Sequence, residues 1–292
     1  GDGVRRGNMD AWLTGFLAQE ALPERFRTTF EEICRPLGDR AIEWRADFGR
    51  TAFIGLCGAQ GSGKSTIAAA TVGYLRSQGL RAAQMSLDDF YLGREARGWL
   101  MGQVHRLLQV RGPPGTHDVA LACAVLDSLR GDGETLIPAF DKSVDERAPR
   151  SRWPRIEGPM DVVILEGWCV GARPEPAERL LAPLNRLERQ DDPTGAWRGY
   201  VNRQLAEGYQ ALWSRLDRLI LLQAPGFEVV HGWRAEQEAK LRARTGAGMS
   251  DAEVGRFIQH YERLTRWILE EMPDRADWRI PLRSDRSPVP QP

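Results

Sequence analysis

Cysteine and lysine are both scarce in this chain of 292 residues. The four cysteines form no Cys-x-x-Cys pair and have no histidine at metal-ligand spacing, which argues against a zinc centre or a dithiol redox motif. We expect them to be buried free thiols. Lysine occurs only at positions 64, 142 and 240, because arginine supplies nearly all of the 40 basic side chains. A lysine that coincides with a motif is therefore worth separate attention.

Long apolar runs and an excess of charge are also missing. We find neither an apolar run of about 18 residues nor a segment typical of a signal peptide, so we expect a cytoplasmic protein with no membrane partner. The 40 basic and 40 acidic residues cancel, which argues against a nucleic-acid partner. The length and the apolar content of 42% suit one large α/β domain, or one domain with an appendage.

One glycine-rich segment indicates a nucleotide-binding protein. An apolar strand candidate leads into the pattern Gly-x-x-x-x-Gly-Lys-Ser at 58–65, and small helix formers follow. Such a loop points successive backbone N–H groups and the positive end of a helix at a phosphate. Lys64 is expected to stabilise the outer phosphates, and Ser65 to bind Mg²⁺. The predicted nucleotide-binding residues are Gly58, Ala59, Gln60, Gly61, Ser62, Gly63, Lys64, Ser65 and Thr66.

Strand and helix patterns alternate along the rest of the chain. This predicts an α/β fold of the P-loop NTPase type, with a parallel sheet covered by helices on both faces. The strand candidates are 51–57, 80–86, 134–139, 161–166 and 217–223. The stretches 141–159 and 172–199 are rich in proline, arginine and charge, and we expect them to be loops or insertions over the carboxyl edge of the sheet. The proline-rich tail 284–292 is expected to be irregular.

The segment before the glycine-rich loop has a helical pattern. Asp10 is expected to cap a first helix, and Pro23 to open a second helix that buries Phe26, Phe30 and Ile33 on one stripe. We therefore predict an N-terminal helical extension, residues 1–50, packed on a P-loop domain, residues 51–292.

Two acidic positions lie at predicted strand ends, where open parallel sheets bind their ligands. Asp88 is expected to accept a hydroxyl proton from a substrate, with Asp89 in support. The alternative for this pair is a helix cap, which aspartate often forms. Glu166 ends the apolar run that begins at Val162, and we expect it to hold a metal ion directly or through water.

A rigid turn at 111–118 brings together a cation, an imidazole and an acid. Arg111 suits a small anionic or polyhydroxylated acceptor, because a guanidinium pairs bidentately with a carboxylate. His117 is a further candidate for acceptor binding, whereas Asp118 suits a helix cap and a functional role equally well. Lys142, one of the three lysines, would be a point charge near a bound anion or else a surface residue.

The segment 231–249 is rich in cations and ends in glycines. It is either a solvated helix face, with its charges paired to nearby acids, or a lid that closes over the nucleotide and delivers an arginine. Arg234 and Arg242 are the candidates for that arginine. The next four residues, 250–253, match a capping box that opens an amphipathic helix.

Several of these segments together resemble the D-glycerate 3-kinase family. The resemblance covers residues 50–282 and rests chiefly on 86–91, 111–118, 138–143, 163–171 and 227–242. The wider group includes uridine kinase, phosphoribulokinase and bacterial pantothenate kinase. The resemblance implies that Asp88 activates the acceptor hydroxyl, that Glu166 serves the metal, and that a lid arginine acts near the transferred phosphoryl group. A similar turn occurs in the pantothenate enzyme, so 111–118 supports the wider group more than a particular substrate. As our own candidates for binding the acceptor we take Tyr91, Arg111, His117, Asp118 and Lys142.

The sequence therefore predicts a kinase that transfers the γ-phosphoryl group of Mg-ATP to a hydroxyl of a small acid, with D-glycerate as the expected acceptor and 3-phosphoglycerate as product. One alternative is a kinase for a nucleoside or pantothenate. A different class, a regulatory NTPase, is the second alternative, although neither the Asn-Lys-x-Asp tetrad of guanine switches nor the Leu-Ser-Gly-Gly-Gln signature of transporter ATPases occurs in the chain.

Overall fold

A sheet of five parallel strands lies at the centre of the computed structural model, which describes residues 2–290. Its strands are β1 (Ala52–Gly58), β2 (Ala82–Ser86), β7 (Val162–Gly167), β8 (Arg218–Gln223) and β9 (Trp278–Pro281), with β3 (Gly133–Leu136), β4 (Phe140–Asp141), β5 (Glu146–Arg147) and β6 (Arg155–Gly158) outside it. The strand order is β2-β7-β1-β8-β9. The predicted α/β class and parallel sheet are confirmed.

The helices cover both faces of this sheet. They are α1 (Asp2–Gln19), α2 (Phe26–Thr29), α3 (Arg35–Phe48), α4 (Lys64–Ser77), α5 (Arg94–Gln103), α6 (Val119–Leu129), α7 (Arg186–Asp191), α8 (Ala196–Ala206), α9 (Gly208–Trp213), α10 (Phe227–Thr245) and α11 (Asp251–Glu271). Alternate side chains of each strand point to opposite faces. Ile54 and Leu56 of β1 therefore join the core under α1, α3 and α4, whereas Phe53 and Cys57 join the core under α6, α9 and α11.

The N-terminal helices share a core with the sheet. Phe26, Phe30 and Ile33 are buried, as predicted, in the same cluster as Ile54. The core is thus continuous across residue 50, where we predicted a boundary. The division into an N-terminal extension and a P-loop domain stays a prediction. The prediction for Asp10 was wrong: α1 begins at Asp2, since no proline interrupts the preceding residues, and Asp10 lies inside the helix.

Other predicted boundaries needed correction. The candidate at 134–139 forms only β3, which pairs with β6 in an antiparallel ribbon outside the main sheet. It could not serve as a central strand because its first residues are exposed. The stretch 141–159 contains β5 and β6 rather than only loops, and the short edge strand β9 was not predicted. Within residues 2–290, no helix is both long and apolar enough to span a bilayer.

Candidate active site

The glycine-rich loop connects the central strand β1 to the first turn of α4. Gly61 and Gly63 have φ angles of 77° and 87°, in the left-handed region that favours glycine. A Cβ at Gly61 would also lie 2.6 Å from Trp233 Cβ, so this position has no room for a side chain. The helix α4 begins at Lys64, as predicted, and its free N–H groups face the loop. The loop thus has the geometry of an anion-binding cradle.

Glu166 lies at the end of the neighbouring strand β7, beside the loop. The Ser65 hydroxyl donates to Glu166 Oε1 at 3.0 Å. The other oxygen, Oε2, is buried and accepts no hydrogen bond from any described residue. Burial raises the pKa of this carboxyl; the charge of Lys64 opposes the shift and that of Asp88 adds to it. A hydroxyl and a carboxylate with an unused oxygen, next to a phosphate cradle, are suitable ligands for Mg²⁺.

Among residues 2–290, no cluster of three or more histidine, cysteine, aspartate or glutamate side chains could hold a metal ion by itself. Magnesium in nucleotide enzymes commonly takes one or two protein oxygens and completes its shell with phosphate oxygens and water. Ser65 and Glu166 fit that pattern.

Asp88 lies on a short 3₁₀ turn after β2, with its backbone N–H donating to the Ser86 hydroxyl at 3.2 Å. Lys142 Nζ donates to Asp88 Oδ2 at 2.8 Å, and the Tyr91 hydroxyl donates to Oδ1 at 3.0 Å. Burial raises the pKa of Asp88, but the charges of Lys142 and Lys64 outweigh it and bring the pKa to about 2. Asp88 is therefore fully ionised at neutral pH.

Asp89 behaves differently from its neighbour. Burial raises its pKa to about 6; the Phe140 backbone N–H opposes the shift, and the negative charges of Asp88 and Glu166 add to it. Asp89 does not line the cavity described below. The two carboxyl groups thus differ in pKa as well as in position.

Arg111 lines the same cavity as Lys64 and Asp88. Its Nη1 donates to Asp145 Oδ1 at 2.6 Å, and its guanidinium lies 5.4 Å from the centre of the Phe140 ring. Asp145 also pairs with Arg97, whose side chain is only 2% exposed. Sequence reasoning missed Arg97 and Asp145, because their pairing joins residues 48 positions apart.

Two of the predicted acceptor residues lie behind the cavity wall. The His117 ring stacks on Tyr91, with 4.6 Å between ring centres, and its Nδ1 bonds to the Tyr209 hydroxyl. Burial lowers the pKa of His117 to about 4, with the charge of Asp88 opposing the shift, so the imidazole is neutral at pH 7. Asp118 caps α6, since its Oδ1 accepts from Leu121 N at 3.1 Å. Of the two alternatives for Asp118, the structure shows the helix cap, and a role in acceptor binding stays a prediction.

The basic segment 231–249 forms α10 after its first turn, together with the loop that follows the helix. Arg234 donates to Gln60 Oε1 at 3.2 Å and to Glu238 Oε1 at 2.8 Å, so it bridges the glycine-rich loop and its own helix. Arg242 instead donates to Met249 O and Asp251, and it does not itself line the cavity described below. The capping box predicted at 250–253 is confirmed at the start of α11.

Many of the predicted site residues line one cavity of about 810 Å³. The predicted residues that line it are Gln60, Gly61, Lys64, Ser65, Asp88, Tyr91, Arg111, Lys142 and Arg234. Sequence reasoning missed other lining residues, among them Arg97, Asp145, Trp168, Glu238 and Tyr261. The cavity is therefore lined by the glycine-rich loop with Lys64, by Asp88 with Lys142, and by Arg111 with Asp145. We name two parts of it after the groups that we expect them to bind: the phosphate end is the loop with Lys64, and the acceptor end is Asp88, Arg97, Arg111, Lys142 and Asp145.

A second cavity, of about 650 Å³, lies on the other side of the glycine-rich loop. Ser62, Gly63 and Thr66 line it from the loop, Phe26 from the N-terminal helices, and residues 284–288 from the segment after β9. Arg286 in that segment donates to the Gly61 carbonyl. The glycine-rich loop thus separates two cavities that both contact the start of α4.

No family model matches the chain. It is 38% identical over 222 residues to an uncharacterized kinase, mug58, of Schizosaccharomyces pombe, covering 73% of this chain and 79% of that one. It is 32% identical over 218 residues to the chloroplastic D-glycerate 3-kinase of Arabidopsis thaliana, covering 71% of this chain and 45% of that one. The solved D-glycerate 3-kinase of Cryptococcus neoformans superposes with a TM-score of 0.76 at 27% identity, over 88% of this chain and 97% of that one.

Proposed function

The chain belongs to the D-glycerate 3-kinase family of P-loop kinases, phosphotransferases with an alcohol group as acceptor, and from that premise we propose that it phosphorylates D-glycerate. The γ-phosphoryl group of Mg-ATP is transferred to the primary hydroxyl, and 3-phosphoglycerate is released. The observation that carries this proposal is a single cavity lined by Lys64, by the ionised Asp88 and by the cation Arg111. A short hydroxy acid offers a hydroxyl to Asp88 and a carboxylate to Arg111.

Asp88 is the group that orients the acceptor hydroxyl. Lys142 and Tyr91 fix both of its oxygens, so the direction of its remaining lone pairs is set before the acceptor binds. A carboxylate with a pKa of about 2 is a weak base. Phosphoryl transfer proceeds through a loose transition state that needs positioning more than early proton removal. The hydroxyl proton therefore passes to Asp88 late, when the new P–O bond is largely formed.

Lys64 and Arg234 act on the charge of the transferred group. Lys64, at the first turn of α4, stabilises the β- and γ-phosphate oxygens, and the loop N–H groups bind the same phosphates. We further propose that the segment 231–249 is a lid and that Arg234 is its catalytic arginine, because Arg234 already contacts the loop through Gln60. Arg242 holds the loop after α10 instead.

Ser65 and Glu166 are the residues that would hold Mg²⁺, through the hydroxyl and the unused Oε2. The bound ion would neutralise negative charge on the β- and γ-phosphates. We propose that the nucleoside part of ATP occupies the second cavity, which begins at Thr66 beside the loop. The N-terminal extension would then contribute Phe26 to nucleotide binding as well as to the core.

A panel of acceptors in an ATP-coupled assay tests the proposal. D-glycerate should give the highest kcat/KM, ahead of L-glycerate, glycerol, uridine and pantothenate. If uridine or pantothenate were the best acceptor, the protein would be a nucleoside or pantothenate kinase instead. If only a protein stimulated ATP turnover, it would be a regulatory NTPase.

Arg111→Met refines the same test, because methionine keeps the apolar stem and deletes the charge. The KM for D-glycerate should rise about tenfold or more, the lower end of what a lost charge-assisted contact costs, while the KM for ATP stays unchanged. Arg152→Met, on an exposed side chain of the neighbouring loop, is the matched control. An equal loss with glycerol would make Arg111 a structural residue.

A further inference from the structure

The acceptor end of the cavity contains carboxylates as well as cations. Three cations, Arg97, Arg111 and Lys142, line this end together with two carboxylates, Asp88 and Asp145. Lys142 pairs with Asp88 at 2.8 Å. Arg97 and Arg111 both pair with Asp145, at 3.0 Å and 2.6 Å. The groups at this end therefore have one net positive charge.

Asp145 is held in place by more than its charge. Its carboxylate accepts from both Nη1 and Nη2 of the buried Arg97, and its carbonyl accepts from Nη2 at 2.8 Å. Arg97 also donates to the carbonyls of Leu92 and Gln109, so one guanidinium joins three segments of the cavity wall. Asp145 adopts a φ of 53°, a left-handed conformation that only glycine, asparagine and aspartate adopt readily. The surrounding contacts fix this backbone conformation.

The remaining donors of Arg111 point to one binding mode. Asp145 engages only Nη1, and among the described residues no acceptor bonds to Nε or Nη2. Those two atoms form the side edge of the guanidinium, which matches the two oxygens of a carboxylate. Asp145 thus accepts a hydrogen bond from Nη1 of Arg111 and leaves Nε and Nη2 available for a ligand. It also forms an ion pair with Arg97.

We propose that Asp145 is a specificity-determining residue that restricts the acceptor to a single negative charge. When a carboxylate with one negative charge binds, it neutralises the single net positive charge of this end of the cavity. A group with two negative charges at the same position would leave one charge unbalanced, and the nearby carboxylate of Asp145 would repel it. The inference rests on the proposed function, since it assumes a small acid bound at Arg111.

The test is a charge series on one acceptor skeleton. Glycerol is neutral, D-glycerate has one charge, and 1,2-dihydroxyethylphosphonate replaces the carboxylate with a group that has two charges at about pH 8.5. Dissociation constants are measured by calorimetry in the presence of a non-hydrolysable ATP analogue and Mg²⁺. The wild-type protein should bind D-glycerate more tightly than the phosphonate or glycerol.

The key variant is Asp145→Asn, which keeps the shape and tolerates the left-handed backbone. The ratio of phosphonate affinity to D-glycerate affinity should rise about fivefold to tenfold, because one opposing charge is removed from a partly solvated site. Asp141→Asn, on the same hairpin but outside the cavity lining, should leave the ratio unchanged. Asp145→Gly removes the same charge, fits the backbone, and takes the place of Asp145→Asn if that variant does not fold.

The outcomes separate the inference from the proposed function. An unchanged affinity ratio in both Asp145 variants, or equal wild-type affinity for the two anions, overturns the role of Asp145 while D-glycerate kinase activity can still stand. If Asp141→Asn raised the affinity ratio as well, the effect would come from the overall charge of the protein and not from the position of Asp145. That result would also overturn the proposed role of Asp145. If the wild-type protein binds none of the three compounds, both the inference and the proposed acceptor fail.

Discussion

The two ends of the cavity are built in opposite ways. The phosphate end comes from nine consecutive residues, 58–66, and is made mainly of backbone N–H groups and glycine conformations. The acceptor end is assembled from side chains at four separate places, namely 88–91, 97, 111 and 142–145, and depends on ion pairs between them. The geometry of a loop made of backbone N–H groups depends little on which side chains surround it. A network of ion pairs is disrupted when any one of its side chains is replaced. Substitutions at the two ends should therefore differ in kind as well as in size.

The largest effect is expected at the phosphate end. Lys64→Ala should lower kcat/KM by about 10³-fold or more, because a preorganised charge is lost where negative charge develops. Steady-state kinetics with ATP and D-glycerate measure it. Lys240→Ala, an exposed lysine paired with Glu236 on α10, is the control and should change little. Near-normal turnover of a folded Lys64→Ala protein would remove the loop from the mechanism.

Asp88→Asn should lower kcat by about 10²-fold to 10³-fold, within the range for losing a positioned base. The affinity for ATP should change little, in contrast to Lys64→Ala, because Asp88 serves the acceptor. Asp89→Asn provides the comparison within the same turn. If Asp89→Asn caused the loss and Asp88→Asn did not, the roles of the two acids would be reversed.

The proposed lid, residues 231–249, lines the same cavity and contacts the glycine-rich loop through Arg234. Arg234→Met should lower kcat by about tenfold to 10²-fold, and Arg242→Met by much less, because only Arg234 contacts the glycine-rich loop. Amide exchange in 231–249 should slow when an ATP analogue and the acceptor bind together. Unchanged exchange, with both variants active, would leave this segment a solvated helix.

The smallest expected effect concerns stability. The pKa of Asp89 is about 6 in the folded protein, against an ordinary value of 3.8. The folded state therefore binds a proton more tightly than the unfolded state between about pH 4 and 6, and stability falls as the pH rises through that window. Asp89→Asn should raise the Tm of the ligand-free protein by about 2–4 °C at pH 8, which corresponds to about 1 kcal/mol. The gain should disappear below pH 4; an equal gain at both pH values would attribute it to packing.

The sequence was sufficient to predict the phosphate end of the site. The residues from Gly58 to Thr66 have their conformations specified locally, and α4 begins at the predicted position. Four of the five strands in the parallel sheet were predicted for a similar reason, since continuous apolar runs such as Val162–Leu165 must be buried. Local rules succeed where neighbouring residues decide the structure.

The acceptor end was predicted only in part, because its geometry depends on distant partners. Arg111 and Lys142 were identified from their motifs, but nothing near Arg97 or Asp145 in the sequence indicates that they pair. His117 was predicted to bind the acceptor, whereas the structure places it behind Tyr91. Strand β9 was missed because four residues at the edge of a sheet have little pattern of their own. These features depend on contacts between residues far apart in the chain.

The hairpin of β4 and β5 contributes Lys142 and Asp145 to the cavity, yet it pairs only with itself and forms no ladder with the five-stranded sheet. Its residues can therefore be exchanged without moving a strand that supports the phosphate loop. If the proposed function is correct, we expect an insertion or a shuffled sequence between Phe140 and Arg147 to change the preference among acceptors more than the affinity for ATP. Directed evolution toward a new acceptor would start from this hairpin, because it is the part of the site most nearly separable from the rest of the fold.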